Sequence, residues 1–295
     1  MLNTLLEPLG YQYMTNAMIA AGLVGGVCAF LSAFLVLKGW SLMGDALSHS
    51  VVPGVAGAYA LGLPFSLGAF FSGFLAAGSI FFIKSISSLR EDAIIGLVFT
   101  TFFAAGMLMI SLNPTSVDVQ TIIFGNILAV DQYDLYQMLV IGGVSLAILL
   151  FIWKDLMLLF FDENQAASVG LSSVKLKIVF FALLSACTVA SLQLVGAVLV
   201  IALVIIPGAT AYLLTDRFGV MLALATSIGV ISGLGGTYLS YFVDGVTGGL
   251  IVLTQAAIFT LAFLFAPKYG LLKTRFATKP HSISAPVSQL RKQDV

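Results

Sequence analysis

The sequence predicts an all-α, polytopic helical membrane protein, and three features carry that prediction. Hydrophobic residues make up 60% of the 295 residues, charged residues only 9%, and mean hydropathy is +1.09. An ordinary soluble domain carries about 25% charged residues. The apolar residues fall in successive windows of about 20, the length needed to cross a hydrocarbon core of about 30 Å. The basic residues, finally, alternate between the windows in a way that fixes an N-out, C-in orientation. Formal net charge is zero, and no nucleic-acid partner is expected.

Taken in order, the windows give nine spans, with eight as the alternative count. The first, 17–37, has no basic residue before it, stops at Lys38 and is too long for a signal-peptide core, so it is read as a retained span. The second is 41–62 and the third, 64–83, stops at Lys84. The fourth, 93–112, follows Arg90, and the fifth, 135–153, lies between Asp134 and Lys154. The sixth and seventh, 176–193 and 195–214, meet at Leu194 and are alternatively one span plus a re-entrant piece. Spans 218–242 and 246–266 complete the set.

With nine spans, Lys38, Lys84, Arg90, Lys154, Lys175, Lys177, Arg217 and the six basic residues of the tail all face the cytoplasm, while Glu7, Asp118, Asp131, Asp134 and Asp244 fall outside. Residues 1–270 therefore read as one transmembrane domain and 271–295 as a polar, basic cytoplasmic tail without fixed structure. Small residues crowd the second span and the eighth, where Gly229, Ser232, Gly233, Gly235 and Gly236 occur. Ordinary close helix packing accounts for them. Cys28 and Cys187 sit in apolar stretches and read as small hydrophobes.

Asp45 and His49 are the one acidic residue and the one histidine inside these spans. A carboxylate at the centre of a membrane helix costs roughly 2.5–3.5 kcal/mol on insertion scales, so its presence calls for a use. Residues at i and i+4 share a helix face. The pair thus presents one hard oxygen and one imidazole nitrogen to the same point, half a coordination sphere for a divalent transition metal. A hydrogen-bonded pair that only fixes helix packing is the competing reading. Pro53 lies four residues after His49, so it removes a helix hydrogen bond and is expected to kink the helix and free the His49 carbonyl.

The stretch Met43-Gly44-Asp45-Ala46-Leu47-Ser48-His49-Ser50-Val51-Val52-Pro53-Gly54 resembles the signature of the permease subunits of ATP-driven manganese, zinc and iron(II) importers. Residues 196–211, with Pro207 as a second helix kink and Gly208 where relatives often have alanine, resemble that family too, as does Ile123-Phe124-Gly125-Asn126-Ile127-Leu128. The resemblance covers about residues 10 to 270. It implies that Asp45 and His49 bind the transported ion. It also implies two permease copies, cytoplasmic ATP-binding subunits and an extracytoplasmic metal-binding protein, in a bacterial inner membrane and surrounded by lipid.

Electrostatics favour the dimer, because two copies supply two carboxylates and two imidazoles and so neutralise a divalent cation. Such a mixed N2O2 shell, open to further oxygen ligands, suits Mn(II) first, with Fe(II) and Zn(II) as alternatives. No cofactor is expected to be permanently bound. The chain has no phosphate-binding Gly-x-x-x-x-Gly-Lys loop, so it is read as a transport subunit with no catalytic residues of its own.

Coupling to the ATPase is expected at Asp162, Glu163, Gln165 and Gly170, where Asp162 reads as an N-cap and Gly170 as a helix stop. Asp118 and Asn126 are expected at the outer mouth, where acids attract cations. A proton-coupled carrier would carry several intramembrane acids, and an intramembrane metalloenzyme needs three metal ligands and a general base. Neither pattern is present in the sequence.

Overall fold

A computed structural model describes residues 6–112, 125 and 127–266. Eleven α-helices occur among them: α1 Gln12–Lys38, α2 Met43–Ser50, α3 Val52–Leu61, α4 Phe65–Ile86, α5 Glu91–Leu112, α6 Gln132–Phe161, α7 Glu163–Ser168, α8 Ser173–Val195, α9 Ala197–Leu214, α10 Phe218–Val243 and α11 Thr247–Phe265. No strand occurs among the described residues. Eight of the helices are long and apolar enough to cross a membrane, which makes the chain a multi-pass membrane protein.

The second expected span, 41–62, is not one helix. It is α2 and α3 in tandem, interrupted at Val51 because Pro53 cannot donate to the backbone ladder. Val51 keeps right-handed helical angles, φ −70° and ψ −28°, so the two pieces continue in nearly the same direction. α3 then ends at Gly62, whose φ of +67° favours glycine, and stacked Tyr59 and Phe65 rings, 6.3 Å apart, close the turn into α4. Together the two pieces occupy the stretch expected as the second span. The pair meeting near Leu194 is two full helices, α8 and α9, separated by Gly196 at φ +79° and ψ 165°.

α1 is the post around which the others stand. All of its residues from Val24 to Leu35 are buried, so it is enclosed on every side. It packs antiparallel to α10, with Gly25 and Gly229 in backbone contact: a Cβ on either would overlap the other's carbonyl oxygen. Lipid supplies no hydrophobic drive between helices, and that close approach supplies dispersion instead. Near its other end Phe34 packs against Phe160, Phe180 and Phe218, with ring centroids 6.2, 6.0 and 5.0 Å away. α11, by contrast, buries only Thr247, Ile251 and Gln255, one narrow stripe, and flanks the bundle. Gln255 Nε2 donates to Ser232 Oγ at 3.0 Å, so α10 and α11 share a buried polar clamp as well as the small-residue contact of Gly236 with Ile251.

Candidate metal site and coupling elements

Asp45 and His49 stand on one face of α2, with His49 Nε2 3.3 Å from Asp45 Oδ1. Their neighbours Gly44, Ala46, Leu47 and Ser48 are buried, so the remaining helix surface is committed to packing. Gly44 is essential to that packing, since a Cβ there would meet Val204 Cγ1 of α9 at 2.7 Å. The paired side chains themselves keep 37% and 28% of their surface open within the single chain. That exposure matters because of its depth. The His49 ring lies 5.3 Å from Phe99 and 5.4 Å from Phe103, and these two residues flank the midpoint of α5. A polar pair at mid-span with open surface needs water or protein against it, not lipid. Phe99 and Phe103 form the apolar wall of the site, and nothing in the sequence alone singled them out.

Pro53 has no N–H to offer the His49 carbonyl, and the Val51 N–H of the helix break lies nearest to that oxygen. Serines hold the rest of the segment: Ser48 Oγ donates to Gly44 O at 2.9 Å, Ser50 Oγ to Ala46 O at 2.6 Å, and Ser72 Oγ of α4 to Ser50 O at 2.6 Å. α2 is thereby fixed in place by side-chain bonds to backbone at its kinked end.

Pro207 lies inside α9 as expected. Ser32 of α1 serves this second proline, accepting from Gly208 N at 3.0 Å and donating to Ile205 O at 3.2 Å. A Cβ at Gly208 would collide with Ser32, so glycine here is a packing requirement of this chain.

The segment expected to couple to the ATPase folds as α7. Asp162 Oδ1 accepts from Asn164 N at 2.9 Å and Gln165 N at 3.0 Å, a side-chain N-cap. The Asp162 N–H bonds to Leu158 O, so Gln165 does not complete a reciprocal box. Gly170, at φ +88°, stops the helix while Leu171 N reaches back to Ala166 O. Glu163 Oε1 lies 2.5 Å from Lys177 Nζ of α8, which ties α7 to the bundle.

Asp118 and Asn126 lie outside the described residues. Gly125 (φ +62°), the residue before Asn126, seats against the Val195–Gly196 backbone between α8 and α9. Cys28 and Cys187 are buried, and Cys28 Sγ lies 3.4 Å from Ser191 Oγ. Among the described residues no cluster of three His, Cys, Asp or Glu side chains could hold a metal. One copy therefore offers two donors.

Three comparisons bear on this architecture. The model of the ABC 3 transport family matches residues 10–266. The chain is 62% identical over 279 residues to the chelated iron transport system membrane protein YfeC of Yersinia pestis, covering 95% of each. It is 46% identical over 268 residues to the manganese transport system membrane protein MntB of Synechocystis, covering 91% of this chain and 88% of that one. In structure it is similar to a chain of PsaBC from Streptococcus pneumoniae, solved in complex with Fab, with a TM-score of 0.82 and 36% identity over 93% of this chain and 100% of that one. The chain belongs to the ABC 3 transport family, as the membrane permease subunit of a metal importer.

Proposed function

We propose that the permease carries Mn(II) and Fe(II) inward through a site formed by Asp45 and His49 of two copies. The observation that carries this reading is the part-open Asp45–His49 pair at mid-span, 3.3 Å apart and walled by Phe99 and Phe103. One copy gives a divalent ion one negative charge and two ligands. A twofold-related second copy doubles both and brings ion and ligands to neutrality in a low-dielectric setting. Two oxygens and two imidazole nitrogens, with room for water, suit ions that accept mixed ligands and six-fold geometry. The relatives' names include both iron and manganese, and this donor set does not separate the two.

ATP hydrolysis belongs to cytoplasmic subunits docked on α7, and an extracytoplasmic metal-binding protein delivers the ion to the outer mouth near Asp118 and Asn126. The assembly sits in a bacterial inner membrane, with the basic tail in the cytoplasm. Metal content tests the dimer site: the reconstituted transporter is expected to hold one Mn(II) per two permease chains, and none with Asp45→Ala. A stoichiometry of one ion per chain would contradict it.

A further inference from the structure

A second polar site lies at the basic end of the bundle, behind α2. It is a cavity of about 290 Å³ whose lining includes Lys38, Lys84, Lys177, Glu91 and Glu163. We propose that it binds the phosphate group of an anionic phospholipid.

Its charge points to an anion. Three ammonium groups face two carboxylates, leaving one formal positive charge on the lining. A phosphodiester, with a single negative charge, neutralises that excess, whereas a divalent cation would add to it. The lysines are unequally held. Lys177 Nζ is 2.5 Å from Glu163 and 5.1 Å from the centre of the Phe81 ring, and its side chain is only 11% exposed. Lys84 is 3.5 Å from Glu91, a looser contact. Glu91 is also engaged by Trp40 Nε1 at 2.5 Å. Lys38 has its ammonium 5.9 Å from the centre of the Trp40 ring and makes no ion pair among the described residues. Lys38 and Lys84 are therefore the cations ready to meet a phosphate.

The shape points to an amphiphile. Behind the lysines the wall is apolar, formed by Met43, Ile80, Ile95 and Phe181. A free inorganic anion has no use for that surface, while a phospholipid sets its phosphate at the ammonium groups and its glycerol and first methylenes against the wall. Basic pockets between helices at the cytoplasmic level bind lipid headgroups on this principle. The cavity is separate from the metal pair. Met43 lines it, but Asp45, two residues on and so on the far side of α2, does not. The proposal thus stands apart from the choice of metal.

Trp40 makes the site readable, because the chain has two tryptophans. In the full-length Trp153→Phe protein, Trp40 is the one tryptophan left, and the difference between wild type and Trp40→Phe isolates the same signal without that change. The protein is placed in bilayers containing either brominated phosphatidylglycerol or brominated phosphatidylcholine at equal mole fraction. Quenching of Trp40 is expected to be at least about twofold stronger with the anionic lipid, and the preference is expected to vanish in Lys38→Gln/Lys84→Gln. Inorganic phosphate added to purely zwitterionic bilayers is expected to leave Trp40 emission unchanged. A response to phosphate without a lipid preference would make the ligand a free anion and overturn the lipid assignment. Equal quenching by both lipids, or a preference that survives in the double variant, would overturn the site.

Discussion

Ser32 and Gly208 join α1 to α9 through a hydrogen bond from backbone to hydroxyl, Gly208 N to Ser32 Oγ at 3.0 Å. The same hydroxyl donates to Ile205 O, so one serine satisfies backbone on both sides of Pro207. Pro207 stays inside α9, and in a membrane interior such a proline is tolerated when neighbouring side chains bond the backbone around it. Gly208→Ala is expected to lower the stability of the purified protein by about 1–3 kcal/mol, read as a lower thermal midpoint, because the new methyl overlaps Ser32. Adding Ser32→Ala should restore only part of the loss, since the Ser32 carbonyl carbon and oxygen also lie 2.7 Å from that Cβ. A Gly208→Ala protein as stable as wild type would show that α1 and α9 can separate freely.

The proposed coupling role of α7 can be tested by two substitutions. Ala166 is fully buried and its N–H bonds to Asp162 O at 3.0 Å, so Ala166→Pro removes a bond and places a ring against the cap. Glu163→Lys sets a like charge against Lys177. Both changes are expected to reduce stimulation of ATP hydrolysis by the permease while metal binding stays at its wild-type level. Full stimulation in the double variant would move the docking element elsewhere, for example to the turn near Asp216.

With the ion held by Asp45 and His49 as proposed, the wall of Phe99 and Phe103 beside His49 should tune affinity. Phe99→Ala and Phe103→Ala each remove a ring more than 5 Å but less than 6 Å from the His49 imidazole centre. Residues that orient a metal ligand typically change affinity by about 10- to 100-fold when lost. Weaker Mn(II) binding of that order, with normal assembly, is the expected result in a titration. Unchanged affinity would mean that the rings serve packing alone.

Much of this was legible in the residues. Apolar windows alternating with Lys38, Lys84, Lys177 and Arg217 predicted nine spans; eight are single helices long and apolar enough to cross and 41–62 is two short helices, while Asp45 and His49 stood out because nothing else in the spans is acidic or imidazole. The proline rule correctly located a break but not its form. The interruption falls at Val51, two residues before Pro53, and leaves two short helices in place of one kinked span. Ser32, Phe99 and Phe103 were not legible, since serine and phenylalanine are common in apolar spans and their roles arise from which helices meet. The Lys177–Glu163 pair joins residues 14 apart on two helices whose relative placement no local pattern encodes.

Metal preference can be read by competition. Accumulation of labelled Mn(II) is expected to fall with excess Fe(II) and with excess Zn(II), while labelled zinc itself accumulates slowly, because such an N/O donor set binds zinc tightly but its open, six-fold geometry suits manganese and iron better. Zinc accumulation undiminished by excess manganese would assign the permease to zinc instead.

Uptake into proteoliposomes by the Asp45→Ala and His49→Ala transporters tests the central claim most directly, with assembly and basal ATP hydrolysis measured in the same preparations. The account predicts that each variant assembles and hydrolyses ATP yet accumulates no Mn(II) or Fe(II) above the ATP-free background. Accumulation at the wild-type rate in either one would show that the pair only packs α2 and that the ion passes elsewhere.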